Sequence, residues 1–427
     1  LSNIDAFRGL GRLWSEREAI WAEMDITVQG LSQSARGSGE AGSFLQYEGV
    51  VLINLGNVYL DKGRWSDAEN CYNYGLKIFR YLGDRHGEAN ALGNLGTIYS
   101  RQGKWLESTV FNEDSLRIMR LLRDQHGEGQ CLMRLGIVLD QQGKWSEAIV
   151  FYKDSLRIMR LLRDQHGEAH VLGNLGHVFL HQMRWSDAMT CYEGSLEIFR
   201  ALGDPHGESQ TLSSIGNVYF NQCDFTKSIA LYEESLKMKR ALGDQHGEAN
   251  TLGSIGNVYL ENGQWPEAIS NHKDSLEIFR VLGDLHGESQ ALGSLGNVYF
   301  RQEDWAKAIN LYEDSLKICR TLNDAQGVCH AIDNLGNIYF QEKDFDKALS
   351  CYHEEAEIAS ELKDYLRYGK VLSKISVILA ESGEIYRALE SAQKSINILS
   401  QTHDVQGLTY SREILAWIEE LIKQTDE

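Results

Sequence analysis

Residues 92–105 read LGNLGTIYSRQGKW. The stretch sets two glycines, Gly93 and Gly96, inside a helical pattern and ends near a third, Gly103. Glycine in a helix interior costs roughly 1 kcal/mol against alanine. A single such residue is tolerable, but here the phrase recurs. Leu55-Gly56-Asn57, Leu135-Gly136-Ile137, Leu175-Gly176-His177, Ile215-Gly216-Asn217, Ile255-Gly256-Asn257, Leu295-Gly296-Asn297 and Leu335-Gly336-Asn337 all stand at a spacing of 40 residues. Two more positions keep that register. One is aromatic, at Trp65, Trp105, Trp145, Trp185, Phe225, Trp265, Trp305 and Phe345; the other is acidic, from Asp84 to Asp364. A fixed period of roughly 20 to 50 residues is the signature of a solenoid. The 427 residues therefore read as one elongated array rather than several globular domains.

Each unit divides into two helices. Leu92, Leu95, Ile98 and Tyr99 share one helical stripe with Gly96, and a second stripe runs Trp145, Ala148, Ile149, Tyr152, Leu156, Met159 and Leu162. No stretch alternates with period two, so the expected fold is all-α. The two prolines, Pro205 and Pro266, mark first turns, where a missing N–H costs nothing. Asp204 then caps the first helix of its unit, and Asp84, Asp124, Asp164, Asp244 and Asp284 cap theirs by register. Gly63, Gly103, Gly143 and Gly263 supply the turn between the helices. Gly96 and Ser108, like Gly56 and Ala68, Gly136 and Ala148, and Gly256 and Ala268, read as small facing residues that let the two helices approach. Gly93, Gly173, Gly253 and Gly293 belong to a mixed register with Met133, Ser213 and Asp333, and read as the floor of a groove.

The chain is 42% apolar and 24% charged, with a net charge of −19. That charge argues against nonspecific nucleic-acid or acidic-membrane binding, and no apolar run reaches the roughly 18 residues of a membrane span. Seven cysteines without a CxxC pair suggest a reducing, cytoplasmic setting. No signal peptide is visible, and a first residue of Leu1 suggests a fragment or processed product.

The motif Leu95-Gly96-x-x-Tyr99, with Ala148 and Tyr152 on the second helix, resembles the tetratricopeptide repeat, here drawn out to 40 residues. The phrase LGDxHGEAxxLGNLGNVY is similar to the long repeats of the Partner-of-Inscuteable (LGN) scaffold family. Related long repeats occur in kinesin light chain and in arrays attached to bacterial signalling ATPases. The resemblance spans residues 48–404. It implies a right-handed superhelical solenoid whose first helices, called A, line a concave face, with helices B outside. On this basis residues 1–47 are a degenerate N-terminal helical repeat, broken by a looser segment at 32–43. Residues 48–404 hold about nine repeats, the last weakened at Ser376 and Ile385-Tyr386, and residues 405–427 form a closing helix, as terminal repeats need.

Asn57, Asn217, Asn257, Asn297 and Asn337 follow the packing glycine and form a ladder on the concave face. An amide donates and accepts at once, which suits the backbone of an extended peptide, and the resemblance implies the same role. The other reading is that these residues bond neighbouring helices and set curvature. Asn90, Gln210, Asn250 and Gln290 form a second polar rung, Gly253 and Gly293 the groove floor, and Leu260, Phe300 and Phe340 a selectivity row beside the ladder. The recurrent His-Gly-Glu, from His86-Gly87-Glu88 to His286-Gly287-Glu288, invites a metal reading. Stacked helices lie 8–10 Å apart, too far for equivalent residues to share one ion at about 2 Å, so the motif reads as a structural hydrogen bond. The row Arg117, Arg120, Arg123, Arg157, Arg160 and Arg163 reads as a solvated face.

No phosphate loop, catalytic triad or cofactor motif is present. The sequence thus points to a non-catalytic scaffold that binds an extended segment of a protein partner, without nucleic acid, membrane insertion, metal or cofactor. A ligand-sensing array of a larger signalling ATPase is the second reading.

Overall fold

The computed structural model describes residues 39–61, 63–402 and 404–425. Helices follow one another from α1 (Gly39–Asp61) to α19 (Val405–Thr425), with no strand among the described residues. In the array the odd-numbered members are helices A, such as α3 (Arg85–Arg101), and the even-numbered ones helices B, such as α4 (Trp105–Leu122). Each A packs on its own B, and each B on the next A. Most of the N-terminal segment, residues 1–38, lies outside the described residues. The first described helix begins at Gly39, inside the stretch expected to be loose.

The junctions between repeats explain the whole His-Gly-Glu motif. The Asp84 carboxylate accepts from the Gly87 N–H at 3.0 Å, and Asp124, Asp164, Asp244, Asp284 and Asp324 cap their helices in the same way. The glycine is bare because the preceding helix B packs onto it: a methyl at Gly127 would lie 2.6 Å from the Met119 sulfur. The glutamate binds back to that same helix, as in Arg120–Glu128 at 2.8 Å and Arg280–Glu288 at 2.7 Å. The histidine reaches forward to the capping aspartate of the next repeat, from His166–Asp204 at 3.2 Å to His246–Asp284 at 2.9 Å. The arginine row is thus partly spent within the array: Arg120 and Arg160 hold Glu128 and Glu168.

Within a repeat, the expected small–small contact is only half of what occurs. Ala68, Ala148 and Ala268 are fully buried, and Ser108 Oγ donates to the Gly96 carbonyl at 2.6 Å. The glycine itself faces a ring four residues beyond them. A methyl at Gly296 would lie 2.6 Å from the Tyr312 ring, and at Gly136 or Gly176 2.7 Å from Tyr152 or Tyr192. The missing side chain therefore makes room for a tyrosine, not for the opposite backbone. Where glycine is absent from the turn between A and B, Met183, Cys223, Glu303 and Lys343 adopt the same left-handed conformation, with φ of 57 to 61°.

The array also touches itself across a longer span. Trp65, at the start of α2 (Trp65–Leu82), packs at 5.0 Å between ring centroids against His286, the rings tilted by 46°, and shares a core cluster with Leu285, Ile318 and Leu322. Beside it, a methyl at Gly63 would lie 3.0 Å from the His286 backbone N, and one at Gly103 3.0 Å from Gln326. Asp284 and Asp324 are buried here, whereas the equivalent Asp124, Asp164, Asp204 and Asp244 are partly exposed. The winding thus brings residues 63–103 against residues 284–326.

The two glycine registers should respond differently to leucine. Gly296→Leu meets the Tyr312 ring and should cost about 1–3 kcal/mol or more. At Gly293 the nearest neighbour of a new methyl is Ser315 Oγ at 4.0 Å, so Gly293→Leu should fold with little loss. Thermal melts of the two variants check this; equal losses would contradict the assignment.

Candidate functional site

The ladder lies where helix A meets the ring of helix B. The Tyr72 hydroxyl donates to the Asn57 side-chain oxygen at 2.7 Å, Tyr312 to Asn297 at 2.6 Å and Tyr352 to Asn337 at 2.7 Å, and Tyr232 does the same to Asn217. Burial pushes the Tyr232 phenol up to about 12, so the hydroxyl stays a donor. Each tyrosine thereby fixes the amide by its oxygen. Asn337 is further engaged, its amide nitrogen on Asp333 at 3.5 Å and its oxygen near Lys374 at 3.4 Å. Asn57, Asn257 and Asn297 are exposed.

Leu260, Asn297, Phe300 and Asn337 come together around one cavity of about 240 Å³, which also takes in Tyr312. Phe340 instead packs toward Phe345, with ring centroids 6.2 Å apart, and joins the C-terminal core. Gly253 and Gly293 leave open space, with only Ser275 Oγ at 3.7 Å and Ser315 Oγ at 4.0 Å near a methyl built there. At Gly93, of the same register, the Arg134 side chain fills that space. In the second rung, Asn250 and Gln290 bond the histidine one turn earlier, His246 at 3.0 Å and His286 at 2.9 Å, while Asn90 and Gln210 are exposed.

Two members of the second rung, Asn250 and Gln290, are therefore tied to the junction histidines. The hydrogen bond to Asp284 raises His246 above the usual imidazole range, against the opposing effect of burial. Burial works against charge at Asp284, yet the bonds from His246 and the Gly287 N–H hold it below the usual carboxylate range.

Three features escape the repeat reading. Lys239 Nζ is buried between Thr251 Oγ1 at 2.7 Å and Ser213 Oγ at 3.2 Å, and burial lowers its ammonium to about 8. Asp140 is 8% exposed and lies against two histidines, His177 Nδ1 at 3.2 Å and His181 Nδ1 at 3.1 Å. His272 takes the tyrosine position against Gly256, with both ring nitrogens buried and unpaired among the described residues. None of the three was singled out from the sequence, where the only signal is a departure from the residue common in its register.

A family model for the tetratricopeptide repeat matches residues 47–120, 89–160, 167–241, 247–321 and 328–401. The chain belongs to that family, whose fold typically serves as a non-catalytic scaffold for protein interactions. Among solved structures, a Rap protein complexed with Competence and Sporulation Factor is similar at 16% identity and a TM-score of 0.53, over 89% of this chain and 99% of that one. A Signal Transduction ATPase with Numerous Domains from Pyrococcus horikoshii, which carries a tetratricopeptide repeat sensor, is similar at 15% identity and 0.50, over 80% of this chain and 53% of that one. At these identities the likeness is one of fold. No curated protein matches the chain. No helix among the described residues is long and apolar enough to cross a membrane.

His272 gives a pH signature. Burial lowers it to about 4, against an ordinary value near 6.5 when unfolded. The native state holds it neutral, so its share of stability is complete above about pH 6.5 and is lost as pH falls toward about 4. His272→Tyr should stabilise the array, and its advantage over the parent chain should grow by about 2 kcal/mol between pH 7.5 and pH 5. Paired melts at the two pH values check this; an advantage that does not change with pH would contradict it.

Proposed function

We propose that the array holds an extended segment of a protein partner along its concave face, with the asparagine ladder bonding the partner's backbone. The observation that carries this reading is the tyrosine–asparagine bond. At the exposed rungs Asn57 and Asn297 it occupies the amide oxygen, so that the amide N–H groups are what such a rung offers a second partner. The cavity that joins Leu260, Asn297, Phe300 and Asn337 gives side chains of the segment a place beside the ladder. The Rap protein solved with Competence and Sporulation Factor is a related solenoid with a bound factor, in keeping with this use of the fold. The same proposal places the chain in a reducing, cytoplasmic setting, where the exposed thiol of Cys223 stays free.

Asn217, Asn257, Asn297 and Asn337 form an unbroken run of four rungs. Helices pack 8–10 Å apart and an extended chain covers about 3.3 Å per residue, so the run meets roughly 10–12 residues of partner. An amide–backbone bond is worth about 0.5–1.5 kcal/mol net. Each single Asn→Ala should therefore weaken binding about three- to tenfold, and the quadruple variant by orders of magnitude. Calorimetry with a partner peptide mapped on an array measures this, once circular dichroism shows the variant folded. Unchanged affinity in the quadruple variant would assign the asparagines to bracing alone.

A further inference from the structure

The repeats are near copies of one another, and residues 114–128 and 154–168 are identical. Against that background three positions in adjacent units depart together. The register of Asp140 otherwise holds Leu60, Ser100, Leu180, Phe220, Leu260, Phe300 and Phe340. His177 stands where five units have the ladder asparagine, and the register of His181 otherwise holds residues such as Gln141 and Asn221. Each change alone would pass as drift, but the fold brings all three to one point.

Asp140 lies at the end of α5 (Gln125–Gln141), and His177 and His181 lie one turn apart on α7 (Gln165–His181), the next helix A. The Asp140 carboxylate is buried, with one oxygen 3.2 Å from His177 Nδ1 and the other 3.1 Å from His181 Nδ1. The two imidazoles sit edge to face at 4.3 Å. One nitrogen of each ring and one carboxylate oxygen lie within 4.8 Å of one another. Around an ion at roughly 2.0–2.1 Å from its ligands, the edges of a tetrahedron are about 3.3 Å, close to the two observed separations. Unlike the equivalent residues of successive His-Gly-Glu motifs, Asp140, His177 and His181 occupy non-equivalent positions on neighbouring helices and already touch.

We propose that Asp140, His177 and His181 form a binding site for a divalent metal of the zinc class. Two imidazoles and one carboxylate suit zinc, cobalt or nickel, whereas calcium and magnesium prefer oxygen alone. Three protein ligands leave a fourth position open. Asp140 and His177 line a cavity of about 330 Å³ beside Gly173, Asn174 and Gln210. The Tyr192 hydroxyl lines it too, and that hydroxyl is buried without a partner among the described residues. A water or a donor group on the open metal position would give the cavity a polar occupant. The site lies at one of the units where the ladder asparagine is missing, as it also is at Thr97 and Ile137, so the metal supplies a contact point where the amide cannot.

The test uses the full chain after chelator treatment, titrated with zinc chloride by calorimetry and with cobalt(II) by visible absorption. His177→Asn and His181→Asn restore residues found at Asn217 and Asn221 in the same registers, so the array accommodates both. One equivalent should bind to the parent chain. Binding should weaken at least tenfold in each single variant and vanish in the double variant, and zinc should raise the melting midpoint of the parent chain but not of the double variant. Absence of a stoichiometric site in the parent chain, or equal affinity in the folded double variant, would overturn the proposal.

Discussion

The contact on which the rest of the structure depends is a glycine beneath a ring. In most repeats the glycine of helix A receives the tyrosine of helix B, and the ring is buried to within 2% of full cover. This insertion sets the approach of the two helices. It also brings the tyrosine hydroxyl to the asparagine that follows the glycine on helix A. Core packing and the fixing of that amide are thus one interaction seen from two sides. The exceptions show the dependence. In the unit of Gly96 the ring is replaced by Asn112, which donates to the Ser108 carbonyl instead, and position 97 is Thr97, whose hydroxyl turns back to Gly93. In the unit of Gly256, His272 fills the space but cannot make the hydroxyl bond.

A second set of interactions joins unit to unit. The capping aspartate serves its own helix through a backbone N–H and the previous unit through a histidine. Such coupling is nearest-neighbour in kind, as in other solenoids. The small rotation at each junction accumulates until residues 63–103 meet residues 284–326. The array therefore carries a long-range contact in addition to the nearest-neighbour ones.

Much of this was legible in the sequence because repetition multiplies weak signals. One aspartate before a helix is ambiguous, but an aspartate in every unit, once followed by Pro205, fixes the cap. The structural hydrogen bonding of His-Gly-Glu was legible, but its partners, the preceding helix B for the glycine and glutamate and the next capping aspartate for the histidine, could not be named from spacing. The partners of Gly96 were half legible for a related reason. Helical spacing tells which face a residue occupies, and Ser108 and Asn112 share that face; Ser108 meets the Gly96 carbonyl as expected, but that Asn112 fills the space left by the missing side chain depends on the depth of packing. The cluster of Asp140, His177 and His181 was visible only as three coincident departures, since their convergence requires the offset between successive helices A. The contact between turns left no trace at all, because no local residue pattern encodes an accumulated rotation.

The central claim is that packing within each repeat winds the array until its turns meet. The register of Trp65 tests this most directly. Trp65 is 1% exposed beneath His286 and Leu285, whereas Trp185 and Trp265, at the same position in other units, are 37% and 40% exposed. Oxidative footprinting of the native chain, read by mass spectrometry at each tryptophan, distinguishes them. The account predicts that Trp185 and Trp265 are modified early while Trp65 stays protected until the array unfolds. Modification of Trp65 at the rate of Trp265 in the folded chain would contradict it.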